Sequence, residues 1–257
     1  MRNVALPVEH GGWSFVLEPI VLGLLVAPSV AGVGLACAGL GAFLVRHPFK
    51  LALGDRRRGK RYPRTALAER FILLYGLIAA LGFALALLLG DLALLIPLLL
   101  ALPFIAIMLR YDAASQSRSL LPELAGPVGL AAFAPAIALA DGWALAPALA
   151  LWVILAARAA PAILYVRARL RLERGEPAPA TPSTISHVAG LLAVLALALL
   201  DLAPALAVGA LVVLLARAAY GLSPYRRPAK ARTIGILEIG YGAMTVFAVA
   251  IGHWLGL

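Results

Sequence analysis

The segment GDRRRGKRYPRT, residues 54–65, concentrates positive charge in a chain that is otherwise apolar. The cations of this segment, together with a lysine just before it, are Lys50, Arg56, Arg57, Arg58, Lys60, Arg61 and Arg64. Arginine binds phosphate oxygens through two parallel hydrogen bonds, so the segment is a candidate site for a phosphate or another anion. The alternative is a topology signal, which would only hold this segment on the cytoplasmic side of a membrane beside anionic headgroups.

A second basic segment, YVRARLRLERG, covers residues 165–175. On a helix Arg167, Arg171 and Arg174 share one face, whereas Arg169 points elsewhere. We expect the two segments to converge over one cavity and to form a funnel for a polyanion. The predicted anion-binding residues are Lys50, Arg56, Arg57, Arg58, Lys60, Arg61, Arg167 and Arg171. The alternative is a helix end that snorkels its arginines into the headgroup zone.

Four ionisable residues interrupt long apolar runs: Glu18, Arg158, Arg217 and Glu238. Charges at this depth in a membrane are costly and usually face the interior of a helix bundle in pairs. The residues therefore predict two intramembrane ion pairs that join helices. A direct chemical role for one of them is the alternative.

Three residues are candidate general bases: Glu18, Glu123 and His10. Glu123 opens an apolar run in the segment LPELAG, and His10 precedes two glycines and Trp13. No two histidines stand at helical spacing and Cys37 is the single cysteine, so no metal site is predicted. The chain also lacks a Walker-type phosphate loop and a serine nucleophile elbow, which argues against an ATP-driven pump and a serine hydrolase.

The elements that must position these residues are membrane helices. Hydrophobic residues make up 63% of the chain and charged residues 13%, and apolar runs of spanning length recur along it. We predict a single integral membrane domain, residues 1–257, with an all-α fold of nine transmembrane helices. The predicted spans are 12–27, 30–47, 69–89, 92–109, 122–140, 143–166, 186–200, 203–221 and 234–256.

The connections between these spans alternate in charge. Three short connections carry only an acid, at Asp91, Asp141 and Asp201, whereas the other connections are basic. By the positive-inside rule the basic connections are cytoplasmic, which places the N-terminus inside and the C-terminus outside. The expected neighbours are membrane lipids rather than nucleic acid.

Five segments of the chain suggest a family: EHGGWSFVLEP, DRRRGKRYPRTALAERF, RSLLPELAG, ILYVRARLRLERG and YRRPAKARTIGILEIG. They resemble the YwiC-like family of bacterial integral membrane proteins. This resemblance implies the cytoplasmic membrane of a bacterium as the location, but it implies no activity.

A more distant resemblance is to the UbiA superfamily of intramembrane prenyltransferases, through the segment MLRYDAASQSRSLLPELAGPVGLAAFAPAIALA. That resemblance implies nine helices around a central cavity, with catalytic loops after the second and sixth spans. The superfamily's loops carry aspartate clusters that hold magnesium, whereas the corresponding stretches here retain only Asp55 and Glu173. Magnesium needs several oxygen ligands, so no magnesium cofactor is predicted, and arginines are expected to contact phosphate directly.

Together these observations predict a membrane protein that binds an amphiphilic anion, an isoprenoid phosphate or diphosphate, at a cytoplasm-facing basic cavity. If the protein is an enzyme, the resemblance implies a prenyltransferase-like reaction without metal. The alternatives are a small-anion transporter and a non-catalytic membrane partner of a respiratory or cofactor-assembly complex.

Overall fold

The structure, a computed structural model, describes residues 2–6, 10–114, 116 and 118–257, and within these residues all regular secondary structure is helical. The helices in chain order are α1 (Arg2–Ala5), α2 (His10–Val26), α3 (Val30–Arg57), α4 (Pro63–Leu89), α5 (Leu95–Ala113), α6 (Leu120–Ala131), α7 (Phe133–Ala140), α8 (Leu145–Glu173), α9 (Thr181–Leu199), α10 (Ala205–Leu222) and α11 (Ala231–Leu255). A short 3₁₀ turn, Leu92–Leu94, leads into α5.

Eight helical segments of the described chain are long and apolar enough to cross a membrane. They correspond to the second to ninth predicted spans, with α6 and α7 together forming one crossing. The first predicted span is the shorter apolar helix Gly12–Val26. The predicted all-α polytopic bundle is therefore confirmed, and the chain is a multi-pass membrane protein.

The helix ends differ from the predicted boundaries at the charged connections. The predicted spans left residues 48–68 as a connection, but α3 continues to Arg57 and α4 begins at Pro63. The helix α8 likewise continues past residue 166 to Glu173. Hydropathy locates the hydrocarbon core of a membrane, whereas arginine and lysine are good helix formers that extend a helix into the headgroup zone.

The fifth span is broken into two helices at Ala132. Pro135 lies in the first turn of α7 and has no N–H to donate to the carbonyl of Ala131, which interrupts the helical hydrogen-bond ladder. After the break the main contacts change: α6 packs mostly on α5 and α8, whereas α7 packs mostly on α2 and also on α3 and α8.

The antiparallel crossings sort the connections onto two ends of the bundle. The basic end carries the α3–α4, α5–α6, α8–α9 and α10–α11 connections, and the acidic end carries the turns at Asp91, Asp141 and Asp201. At the acidic end, the Trp254 indole donates a hydrogen bond to the Leu25 carbonyl at 3.0 Å. Which compartment each end faces stays a prediction of the positive-inside rule.

The interior of the bundle is built mainly from α2, α7, α8, α10 and α11. Their fully buried apolar side chains include Leu22, Ile154, Leu214 and Val249. By contrast, α4 and α5 turn most of their leucines outward, where a membrane supplies the apolar surroundings.

The α3–α4 contact depends on glycines at which the two backbones meet. A Cβ added at Gly34 would lie 2.6 Å from the Gly82 carbonyl oxygen, and one added at Gly82 would lie 2.5 Å from the Gly34 carbonyl oxygen. Farther along α3, a Cβ at Gly41 would lie 2.8 Å from the carbonyl oxygen of Tyr75. Small residues let membrane helices approach closely, and here they fix the register of α3 against α4.

We expect the Gly82→Ala substitution to destabilise the protein by about 1–3 kcal/mol, because the new methyl group forces α3 and α4 apart. The matched control is Gly76→Ala on the same helix, where an added Cβ has no neighbour within 4 Å. The control should be neutral or stabilising by about 0.5–1 kcal/mol, since alanine is the better helix former. Thermal unfolding in detergent measures both, and equal midpoints would contradict the close contact.

Candidate functional site

A buried carboxylate organises the corner between α3 and α4. Asp55 is only 2% exposed and accepts hydrogen bonds from Arg64 Nη2 at 2.6 Å and Arg64 Nε at 3.0 Å. The Thr65 hydroxyl donates a third hydrogen bond to Asp55 at 2.8 Å and accepts one from the backbone N–H of Tyr62. These bonds hold both ends of the short connection 58–62 in place.

The α3–α4 hollow is an open depression of about 360 Å³ beside this corner. It is lined by Arg56, Gly59, Lys60, Arg61, Thr65 and Glu69. Glu69 accepts one hydrogen bond from Arg56 Nη2 at 2.7 Å and another from Arg61 Nη2 at 2.9 Å. Among the described residues Lys60 has no ion-pair partner, so the hollow carries three cations against one carboxylate.

The other cations of the first basic segment connect it to the α5–α6 region. Arg57 donates to the Ala113 carbonyl at 2.9 Å, and Lys50 lies 3.5 Å from the carboxylate of Asp112. Arg46 also binds Asp112, through Nε at 2.6 Å and Nη2 at 3.0 Å. Arg58 is exposed at the C-terminal end of α3.

The arginines predicted on α8 lie at the same end of the bundle but outside the hollow. Arg167 donates to Glu123 at 2.5 Å and to the Arg118 carbonyl at 3.2 Å. Arg171 lies 3.4 Å from Glu176. The two basic segments therefore flank the α5–α6 connection, and no α8 residue lines the α3–α4 hollow.

Arg169 is a residue whose importance the sequence reasoning missed. Its side chain is buried, donates to the carbonyls of Gly221 and Arg227, and lies 2.9 Å from Glu173. It thus ties the α10–α11 connection to α8. Its spacing from Arg158 was the available signal, because residues eleven apart on a helix share a face.

The four intramembrane charges meet in one place, here called the charge cluster: Glu18, Arg158, Arg217 and Glu238. Arg158 Nη2 lies 3.0 Å from Glu18 Oε1 and donates to the Glu238 backbone carbonyl at 2.7 Å. Arg217 Nη1 lies 2.9 Å from Glu238 Oε1. The cluster joins α2, α8, α10 and α11, and its two arginine side chains are 2% and 7% exposed.

Aromatic rings and a glycine pack closely around the charge cluster. The Arg217 guanidinium lies 4.0 Å from the centroid of the Tyr165 ring and 5.1 Å from that of Tyr241. Gly242 faces the Glu18 carboxylate, and a Cβ there would lie 2.6 Å from Arg158 Nη2. Cations are stabilised over aromatic faces when they leave water, so the rings offset part of the desolvation of Arg217.

The three candidate bases occupy different environments. Glu18 belongs to the charge cluster, and Glu123 is bound by Arg167 on the basic end. The backbone of His10 begins α2, but its side chain lies outside the described residues. Neither of the two described carboxylates lines the α3–α4 hollow.

The residues at the positions implied for magnesium do not fit that ion. Asp55 is held by Arg64 and Thr65. Glu173 faces Arg169 and accepts a hydrogen bond from the Ala229 backbone N–H at 3.1 Å. Each carboxylate already serves cationic or N–H donors, and a hard dication needs several free oxygens in one place.

The profile of the family described as YwiC-like protein matches residues 6–138. The chain belongs to the YwiC-like family. The match includes the segments at 9–19, 55–71 and 118–126, whereas the later segments that suggested the family, 163–175 and 225–240, lie beyond it. No curated protein and no solved structure matches this YwiC-like chain, so its likeness to the UbiA superfamily stays a prediction.

We expect Arg158→Met to cost about 3–5 kcal/mol of stability, because it leaves the Glu18 carboxylate buried without its cation. The double variant Glu18→Met/Arg158→Met removes both charges and should recover most of that loss. Thermal unfolding in detergent measures the difference. A double variant that is no more stable than Arg158→Met alone would show that the Glu18–Arg158 contact contributes little.

Proposed function

We propose that this YwiC-like protein binds the phosphate or diphosphate group of an isoprenoid lipid at the α3–α4 hollow. Its place would be the bacterial cytoplasmic membrane, with the basic end toward the cytoplasm. The observation that carries the proposal is the hollow itself, where Arg56, Lys60 and Arg61 outnumber the single carboxylate of Glu69. A phosphate or diphosphate would neutralise this excess of positive charge.

The geometry of the two arginines supports recognition of phosphate oxygens. Arg56 and Arg61 each use Nη2 to bind Glu69, so the remaining N–H groups of each guanidinium are free to bind a ligand. Glu69 holds the two guanidinium groups on either side of the hollow before any ligand arrives. Preorganisation of this kind lowers the entropic cost of binding, and Lys60 adds a mobile positive charge.

The surface of α4 next to the hollow suits an apolar tail. Leu73 and Leu77 follow Glu69 at four-residue intervals, so they lie below it on the same face of the helix. Their side chains are 74% and 54% exposed. A lipid whose headgroup occupies the hollow would therefore lay its first isoprene units along these leucines, within the membrane.

The proposal is a binding site and assigns no reaction. Glu18 and Glu123 do not line the hollow, so neither of these two candidate bases faces a ligand there. Isoprenoid phosphates remain the proposed class because the site combines a hollow with several positive charges and an exposed apolar face of α4.

The test is thermal unfolding of the full-length protein in detergent with farnesyl diphosphate, a polyprenyl phosphate, phosphatidylglycerol or inorganic diphosphate. A prenyl phosphate at a hundred times its dissociation constant should stabilise the wild type by about 2.7 kcal/mol. The variant Lys60→Ala/Arg61→Ala should lose this stabilisation. The control Arg171→Ala/Arg174→Ala removes the same charge from the end of α8 and should keep it.

Two results would reject the proposal. If both double variants respond to prenyl phosphates as the wild type does, the α3–α4 hollow is not the site. If phosphatidylglycerol stabilises as strongly as the prenyl phosphates, the basic end recognises membrane headgroups in general and not isoprenoids.

A further inference from the structure

A line of polar residues runs along one face of α8 from the basic end into the membrane interior. Arg158, Tyr165, Arg169 and Glu173 stand at positions i, i+7, i+11 and i+15 and therefore share a face. At about 1.5 Å per residue, this line is about 22 Å long. The first three side chains are each less than a tenth exposed, which is unusual for two arginines.

Polar groups of neighbouring helices contact this line along its whole length. Near the basic end, Arg169 donates to the Gly221 carbonyl of α10. In the middle, the Tyr165 ring lies 4.0 Å from the Arg217 guanidinium, which faces Glu238 of α11. At the deep end Arg158 faces Glu18 of α2. These residues form a continuous polar column between α2, α8, α10 and α11.

The column contains nearly all of the unpaired polar atoms in the described protein interior. Eight buried side-chain nitrogen and oxygen atoms there have no hydrogen-bond partner, and seven belong to the column. The seven are Arg217 Nε, Nη1 and Nη2, Arg158 Nε, Glu18 Oε1, Glu238 Oε2 and Glu173 Oε1. The eighth is His187 Nε2.

Such a concentration of unpaired atoms needs a physical explanation. Three of the seven atoms lie within ion-pair distance of an opposite charge but are not aligned for a hydrogen bond: Glu18 Oε1 at 3.0 Å, Arg217 Nη1 at 2.9 Å and Glu173 Oε1 at 2.9 Å. The other four have no hydrogen-bond partner among the described residues. An unpaired buried donor or acceptor destabilises the folded protein, because it has lost its hydrogen bonds to water. Proteins usually satisfy such groups with ordered water, provided that several polar partners surround each molecule.

The column has an opening at the basic end and a closed end. A groove of about 640 Å³ lies between the end of α8 and the α10–α11 connection, lined by Leu170, Glu173, Arg174 and residues 228–231. Glu173 belongs to both the groove and the column, so the groove is the mouth. Beyond Arg158 the next turns of α8 bury Ile154 and Leu151, which close the column toward the acidic end.

We propose that water enters from this groove and hydrates the column as far as Arg158 and Glu18, which makes it a one-sided inlet into the membrane. Water molecules bridge the unpaired guanidinium and carboxylate atoms. This inlet is separate from the α3–α4 hollow and does not depend on lipid binding there.

Hydroxyl-radical footprinting of the full-length protein, with tyrosine oxidation read by mass spectrometry, tests the proposal. Radicals form wherever water is, so a buried ring is oxidised quickly only when water lies beside it. Tyr165 and Tyr75 are matched controls for one another, at 7% and 9% exposure, but only Tyr165 lies on the column. We expect Tyr165 to be oxidised several-fold faster than Tyr75 in the wild type.

The variant Arg217→Met/Glu238→Met removes the central charges together at similar volume, and such a replacement of a buried ion pair is often neutral or stabilising. In this variant the oxidation rate of Tyr165 should fall to that of Tyr75. A wild-type Tyr165 that is no faster than Tyr75 would overturn the proposal, and this comparison stands even if the variant does not fold. A folded variant in which Tyr165 stays fast would also overturn it, because water would then reach the ring by another route.

Discussion

Burial of four charges inside an apolar bundle is the constraint on which the rest of this structure depends. Arg158 and Arg217 are almost completely buried, and in a medium of low dielectric a lone guanidinium would be very costly. Each arginine therefore has to face a carboxylate from another helix, Glu18 or Glu238. Because apolar side chains are no better buried against each other than against lipid, these polar contacts and the close glycine contacts hold the relative positions of the membrane helices.

Contacts of charged side chains also fix the structure of the basic end. Asp55 holds the corner of α3 and α4 through Arg64, Asp112 holds Arg46, and Arg169 holds the α10–α11 connection through backbone carbonyls. The other described acids of this end, Glu69, Glu123, Glu173 and Glu176, also face arginines. Part of the remaining positive charge is exposed around the α3–α4 hollow, beside the corner that Asp55 and Arg64 hold together. Excess charge and a fixed frame are the two conditions for recognising a phosphate.

The two ends of the molecule differ in what they can do. The acidic end consists of short turns, and buried apolar residues of α8 separate it from the charge cluster. The basic end carries the longer connections and both openings, the α3–α4 hollow and the groove beside Glu173. One opening faces outward along α4, where a lipid can approach from the membrane. The other lies at the end of α8, where Glu173 connects it to the polar column.

Composition and charge spacing alone determined the all-α membrane bundle, the separation of basic and acidic ends, and the presence of ionisable residues at depth, because each is a property of segments taken one at a time. Helix ends were not determined this way, since hydropathy reports the hydrocarbon core and α3 continues through its charged residues to Arg57. The partners of the charged residues were not determined this way either. Arg158 faces Glu18, Arg167 faces Glu123 rather than the hollow, and Arg169 is buried. Each of these facts depends on how a helix is rotated against its neighbours. Only tertiary packing decides that rotation, because it brings together residues that are far apart in the chain.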